Sequence, residues 1–134
     1  MVNKMKDLKN KLEKLQEKQT WLRKGLKEWL QLWKENTIEI EGEFFYICKY
    51  GDYMAVDHYY YIEPGNSSIY GGYCEFVEYE GFDDKLSKDV DDIEISDIKS
   101  IIAALPKRVQ DFSKRVDHSI IEAEELLAKL IPAK

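Results

Sequence analysis

The chain predicts an α+β domain: a long N-terminal helix paired antiparallel with a C-terminal helix, packed with a four-stranded antiparallel β-meander. Three observations carry that prediction. Apolar side chains recur at spacings of three and four from Met5 to Trp33. The middle third alternates with period two between turn signals, and a second stripe of helical period fills the last third. At 134 residues, 44% hydrophobic and 34% charged, the chain has the size and composition of a single globular domain, 1–134.

The first element is a helix over residues 3–35. Its seam is Met5, Leu8, Leu12, Leu15, Leu22, Leu26, Trp29 and Trp33, with Gln19 the one gap. A heptad pattern held this long is of coiled-coil grade. At 1.5 Å per residue the helix is roughly 45–50 Å long. A globule of this size has a radius of gyration near ~14 Å, so part of the helix must project, pair with another long helix or dimerise. Lys4, Lys9, Lys11, Lys18 and Arg23 flank the seam. A parallel self-pair would bring those like charges together, so the seam prefers a partner with acidic flanks. Leu30 and Leu32 widen the stripe near its end, where the helix should enter the core. Trp21 lies off the seam and suits either a second packing surface or an exposed contact.

The meander is expected over residues 37–80. Ile38 and Ile40 alternate with Glu39 and Glu41 as a first strand, and Glu41-Gly42 turns into a second strand over 43–49. Tyr50-Gly51-Asp52 turns again into a third strand over 53–63, with Met54, Val56, His58, Tyr60 and Ile62 on one face. Pro64-Gly65-Asn66-Ser67 is the strongest turn signal in the chain. A fourth strand follows over 69–79, where Gly71-Gly72 suggests a bulge or a close backbone approach.

Residues 81–95 read as a solvated acidic loop with a short strand at its end, Ile93–Ile95. Ser96 is a good cap for the C-terminal helices over 96–131. Ile98, Ile101, Ile102 and Leu105 begin a helical stripe, and Pro106 is expected to kink or restart it. Val109, Phe112, Val116, Ile120, Ala123, Leu127 and Leu130 continue it, with Asp117 and Glu124 at its flank. This second stripe is the natural antiparallel companion of the first.

The net charge of −6 is segregated. Residues 1–35 carry +5, residues 36–97 carry −13 and residues 98–134 carry +2. No apolar run is long enough to span a membrane and no secretory leader is visible, so a cytoplasmic location is expected. Cys48 and Cys74 then read as reduced thiols, since a bridge needs their strands to be neighbours.

No catalytic site is expected. His58 sits between Asp57 and Tyr59 in a strand, where successive side chains point to opposite faces, so Asp57 is badly placed to orient it. Cys48 or Cys74 could meet His58 across the sheet, but no local motif supports that, and His118 reads as a solvated helical residue. No metal or cofactor is expected either. The acidic loop lacks the glycine that a calcium loop needs, and neither a phosphate loop nor a dinucleotide fingerprint is present.

The middle third has more to say about partners. All nine tyrosines lie between Tyr46 and Tyr79. Three consecutive rings, Tyr59 to Tyr61, cannot share one face, so a tyrosine-rich face is either covered or offered to a partner. Tyr59, Tyr61, Glu75, Glu78, Glu80, Asp83, Asp84, Asp89, Asp91 and Asp92 are the expected contact residues for a protein partner with a basic surface. The expected function is a non-enzymatic protein-interaction module. One concrete form is an acidic inhibitor that occupies a nucleic-acid-binding surface, similar in size and composition to small anti-defence proteins of mobile elements. No family motif is matched. The alternative is a coiled-coil protein that forms homo-oligomers through the N-terminal helix. Direct nucleic-acid binding by that helix is disfavoured, because Glu13, Glu17 and Glu28 interrupt its basic surface.

Overall fold

The computed structural model describes residues 2–53, 56–73 and 86–130. Helix α1 spans Val2–Asn36. Strands β1 (Phe45–Tyr53), β2 (Val56–Ile62) and β3 (Ile69–Tyr73) follow. Strand β4 (Leu86–Lys88), a 3₁₀ turn at Val90–Asp92 and helix α2 (Ile95–Leu130) complete the order. The sheet is antiparallel throughout, in the order β1-β2-β3-β4. The α+β architecture of two long helices and a four-stranded antiparallel sheet is the one expected.

One core joins the layers. Leu26, Leu30 and Trp33 of α1 meet Phe45, Ile47, Tyr60, Ile62 and Ile69 of the sheet and Ile98, Ile101 and Leu105 of α2. Alternation along β2 puts Tyr60 and Ile62 on this side. Tyr60 satisfies its hydroxyl by donating to Asp97 Oδ2 at 2.9 Å. Phe112 brings its ring to within 5.8 Å of Trp33 and 5.6 Å of Phe45. The end of α1 is tied down by side chains. Asn36 Nδ2 donates to the Leu32 carbonyl and Thr37 Oγ1 to that of Trp33. Thr37 Oγ1 in turn accepts from the Gly65 N–H at 2.7 Å. The expected turn at Pro64-Gly65 is therefore docked on the helix end. Gly65 has φ +80°, and a Cβ there would lie 2.7 Å from Glu39 N, so only glycine fits.

That docking explains the missing first strand. Ile38 and Ile40 are exposed and outside the sheet, because the backbone at Ile38–Glu39 lies against the Gly65 turn instead of pairing. The sheet regains its fourth strand at Leu86–Lys88, inside the stretch expected to be loop. Tyr50-Gly51-Asp52 does not turn. Strand β1 runs through it, with register shifts between Tyr46 and Cys48 and between Lys49 and Gly51 taking up the extra residues. Gly71 and Gly72 pair regularly with Tyr60 and Tyr59 and are buried, which is the close approach and not the bulge. Residues 74–79 of the expected fourth strand lie outside the described residues, as does Cys74. The short strand expected at Ile93–Ile95 is replaced by the 3₁₀ turn and the start of α2. Pro106 sits inside α2 without ending it, as Ile101 and Leu105 before it and Phe112 after it all pack into or against the core.

The relation between the helices is also corrected. Arg23 reaches Val90 and Ile93, just before α2 begins, while Trp33 meets Phe112, far along it. Contacts thus rise together along both helices, whereas in an antiparallel pair they would run in opposite order. Sheet packing sets this sense. Arg108 of α2 donates to the Ile47 carbonyl at 2.9 Å and Arg115 to the Phe44 carbonyl at 2.6 Å, so α2 runs along β1 against its direction. The Arg108 guanidinium thus caps a carbonyl of the edge strand β1, and that of Arg115 caps the carbonyl just before it.

Candidate interaction surface: two helical arms and the groove at their base

The seam of α1 continues past the point where the body ends. From Val2 to Lys18 every residue is exposed, although Met5, Leu8, Leu12 and Leu15 keep the apolar spacing. This arm is about 25 Å long. On α2 the same happens at the other end. Every residue from Asp117 to Leu130 is exposed, with Ile120, Ile121, Leu126, Leu127 and Leu130 among the exposed large apolar side chains. That arm is about 20 Å long. Large contiguous apolar patches are uncommon on the surfaces of monomeric proteins.

The arms have opposite charge. Residues 2–18 hold six lysines against Asp7, Glu13 and Glu17, a balance of +3. Residues 117–130 hold Asp117, Glu122, Glu124 and Glu125 against Lys129, a balance of −3. Lys9 pairs with Glu13 at 3.9 Å and Lys11 with Asp7 at 3.2 Å along the helix surface. Such exposed pairs contribute little, so those lysines remain available to other partners.

Between the arms, where the helices cross, lies an apolar groove of about 360 Å³ lined by Trp21, Leu22, Trp29, Ile102, Pro106 and Val109 among others. Trp21 stands exposed at its lip with the Lys24 ammonium 5.0 Å from its ring. Gly25 opens the floor, since a Cβ there would meet nothing within 4 Å. The groove was not legible in advance. Its one sequence signal is a glycine in a strong helical pattern between two tryptophans.

The acidic and aromatic residues singled out by the sequence are dispersed. Tyr61 is 3% exposed, with Tyr70 stacked at 5.5 Å and Phe44 edge-on at 6.2 Å, so it packs and does not project. Tyr59 is half-buried against Tyr46 at 5.4 Å. Asp91 is held by Lys27 at 2.7 Å. Asp89 caps the 3₁₀ turn by accepting from the Asp91 N–H, and Asp92 is exposed beside it. Glu75, Glu78, Glu80, Asp83 and Asp84 lie outside the described residues.

Cys48 is a free, half-buried thiol opposite Tyr60 in the sheet. Burial pushes its pKa up to about 11, Asp97 adds to the rise and Arg108 opposes it. A thiol so placed stays protonated at neutral pH and is a poor nucleophile. Among the described residues no three His, Cys, Asp or Glu side chains come together as a metal site, and no helix is long and apolar enough to cross a membrane. Comparison with protein-family models, with curated proteins and with solved structures finds no match to this chain.

Proposed function

We propose that this protein is a non-enzymatic protein-interaction module, a small α/β body that presents two amphipathic helical arms. The observation that supports it best is the continuation of both apolar stripes beyond the body, with Met5, Leu8, Leu12 and Leu15 on one arm and Ile120 and Leu127 on the other left exposed. Helices join by burying such stripes against one another. A reducing, cytoplasmic setting suits the free thiol of Cys48. The test is capture of partners from the source cell by the wild type and by two arm variants, Leu8→Glu/Leu12→Glu/Leu15→Glu and Ile120→Glu/Leu127→Glu. In dilute solution both variants should unfold at the wild-type denaturant concentration, because the arms lie outside the core. Each should lose partners that the wild type retains. Equal capture by all three proteins overturns the reading.

A second reading rests on the −13 balance of residues 36–97 and on the exposure of Asp89 and Asp92. Here the protein occupies a basic, nucleic-acid-binding surface of its target as an inhibitor. Its partner should then be lost on reversing Asp89 and Asp92 to lysine, and retained by the two arm variants.

A further inference from the structure

Among the described residues the antiparallel helix pair that the sequence calls for is not made within the chain, and each of its two halves is left without a partner. We infer that it is made between two copies, the α1 arm of one protomer lying antiparallel on the α2 arm of the other, twice over around a two-fold axis. This rests on the reading of the arms as contact surfaces and names their occupant.

Four features of the molecule favour a second copy. First, the arms cannot meet in one chain. The α1 arm precedes the Arg23 contact with Ile93, whereas the α2 arm follows the Phe112 contact with Trp33. They therefore leave opposite ends of the shared crossing. In a second copy related by a two-fold axis those ends are exchanged, so each α1 arm lies beside an α2 arm of the other chain and runs against it. The contact is isologous and closes as a dimer. Second, the seams correspond. Met5, Leu8, Leu12 and Leu15 follow spacings of three, four and three, and Ile120, Ala123, Leu127 and Leu130 follow the same spacings. Third, the lengths are comparable, about 25 Å against about 20 Å. Fourth, the charges are opposite, +3 against −3. Lys9 and Lys11 flank one seam where Asp117 and Glu124 flank the other. A pairing of two α1 arms would set lysine against lysine, and one of two α2 arms carboxylate against carboxylate, so charge selects the mixed pair.

The test is light scattering on the full chain with charge exchange. The wild type at 100 µM should have twice the 15.8 kDa mass of the chain and should dissociate on dilution. Lys9→Glu/Lys11→Glu and, separately, Asp117→Lys/Glu124→Lys should each weaken the dimer tenfold or more, with helix content unchanged by circular dichroism. An equimolar mixture of the two should restore it, because each acidic α1 arm then finds a basic α2 arm and each basic α1 arm an acidic α2 arm. A chain carrying all four changes should restore it as well, and serves if one double variant frays. A wild type that is monomeric at 100 µM overturns the inference. So does a dimer weakened by the changes on one arm only, or one restored neither by mixing nor by the fourfold exchange. A monomeric wild type whose cellular partners are still lost in the arm variants would leave the interaction-module reading standing.

Discussion

Leu12 and Leu26 stand two heptads apart on the same seam of the same helix. Leu26 is 1% exposed and Leu12 is 56% exposed. The same contrast divides α2, where Ile101 is fully buried and Ile120 is half exposed. The residue type and the helical period do not differ between the members of each pair, so neither explains the contrast. What differs is whether a second surface of this chain lies opposite. The body supplies one for Leu22 to Trp33 and for Ile98 to Phe112, and among the described residues none for the arms. Helical period reports that a face needs covering, and the topology decides whether the cover comes from the same molecule.

The most direct way to break that comparison is to truncate both leucines. Leu26→Ala should cost about 3 kcal/mol, a lost side chain plus the cavity it leaves. Leu12→Ala, measured by urea denaturation in dilute solution, should fall within about 0.5 kcal/mol of the wild type. Similar losses at the two sites would mean that the arm packs on its own body, and the division of the molecule would collapse.

Chemistry at Cys48 sharpens the same division from the side of the body. Its pKa is raised from 9.0 to about 11, mainly by burial. The folded state therefore holds the proton more tightly than the unfolded one. The contribution to stability is complete below pH 9 and is lost as pH rises towards 11. At pH 8 the native thiolate population should be about a hundredfold smaller than that of an ordinary thiol, and alkylation correspondingly slow. A cysteine placed in an arm at Ser119, which is exposed, should react at the ordinary rate. Equal rates at the two positions would show that Cys48 is not shielded by the sheet and α2.

Arginine and lysine on α1 offer a smaller contrast. The half-buried Arg23 donates to the carbonyls of Val90 and Ile93, both at 2.6 Å. Arg23→Met should cost about 2 kcal/mol, because it leaves two partly buried carbonyls unpaired. Lys11→Met breaks only the exposed pair with Asp7 and should change stability by less than about 0.5 kcal/mol in the monomer. Denaturation midpoints of the two variants decide it.

These contrasts also show where the sequence was legible. The two helices, the docked turn at Pro64-Gly65 and the core positions Leu26, Trp33, Ile98 and Ile101 follow from period and turn chemistry, which are local. The sense in which α1 and α2 cross does not, because it depends on how α2 runs against β1, a contact between residues some sixty positions apart in the chain. Ile38 and Ile40 alternate as a strand should, yet alternation says nothing of whether a neighbouring strand exists. What lies against the Ile38–Glu39 backbone is the turn at Gly65. Because a strand has two faces, the sequence leaves the face of Tyr59 and Tyr61 either covered or offered to a partner, and ring-on-ring packing of Tyr61 with Phe44 and Tyr70 helps cover it. The surfaces of the arms could be read from the residues. Their lack of cover could be seen only once the rest of the chain was in place.

The smallest expected change lies where the two regions join. Glycine in a helix interior is less favourable than alanine by about 0.8 to 1 kcal/mol. Gly25 has regular helical surroundings, and a Cβ on it would meet nothing within 4 Å. Gly25→Ala should therefore stabilise the protein by about that amount and displace no neighbouring side chain. The open space has a consequence beyond stability. It is the floor of the groove between Trp21, Trp29 and Pro106, so a large side chain there would fill the groove without entering the core. Gly25→Phe should keep a denaturation midpoint close to that of Gly25→Ala. If the crossing takes part in contacts between molecules, Gly25→Phe should weaken them and Gly25→Ala should not. Should both substitutions weaken association equally, helix rigidity and not the groove would be the cause. Should neither do so, the contacts are confined to the arms, and the boundary between the two regions falls between Lys18 and Trp21.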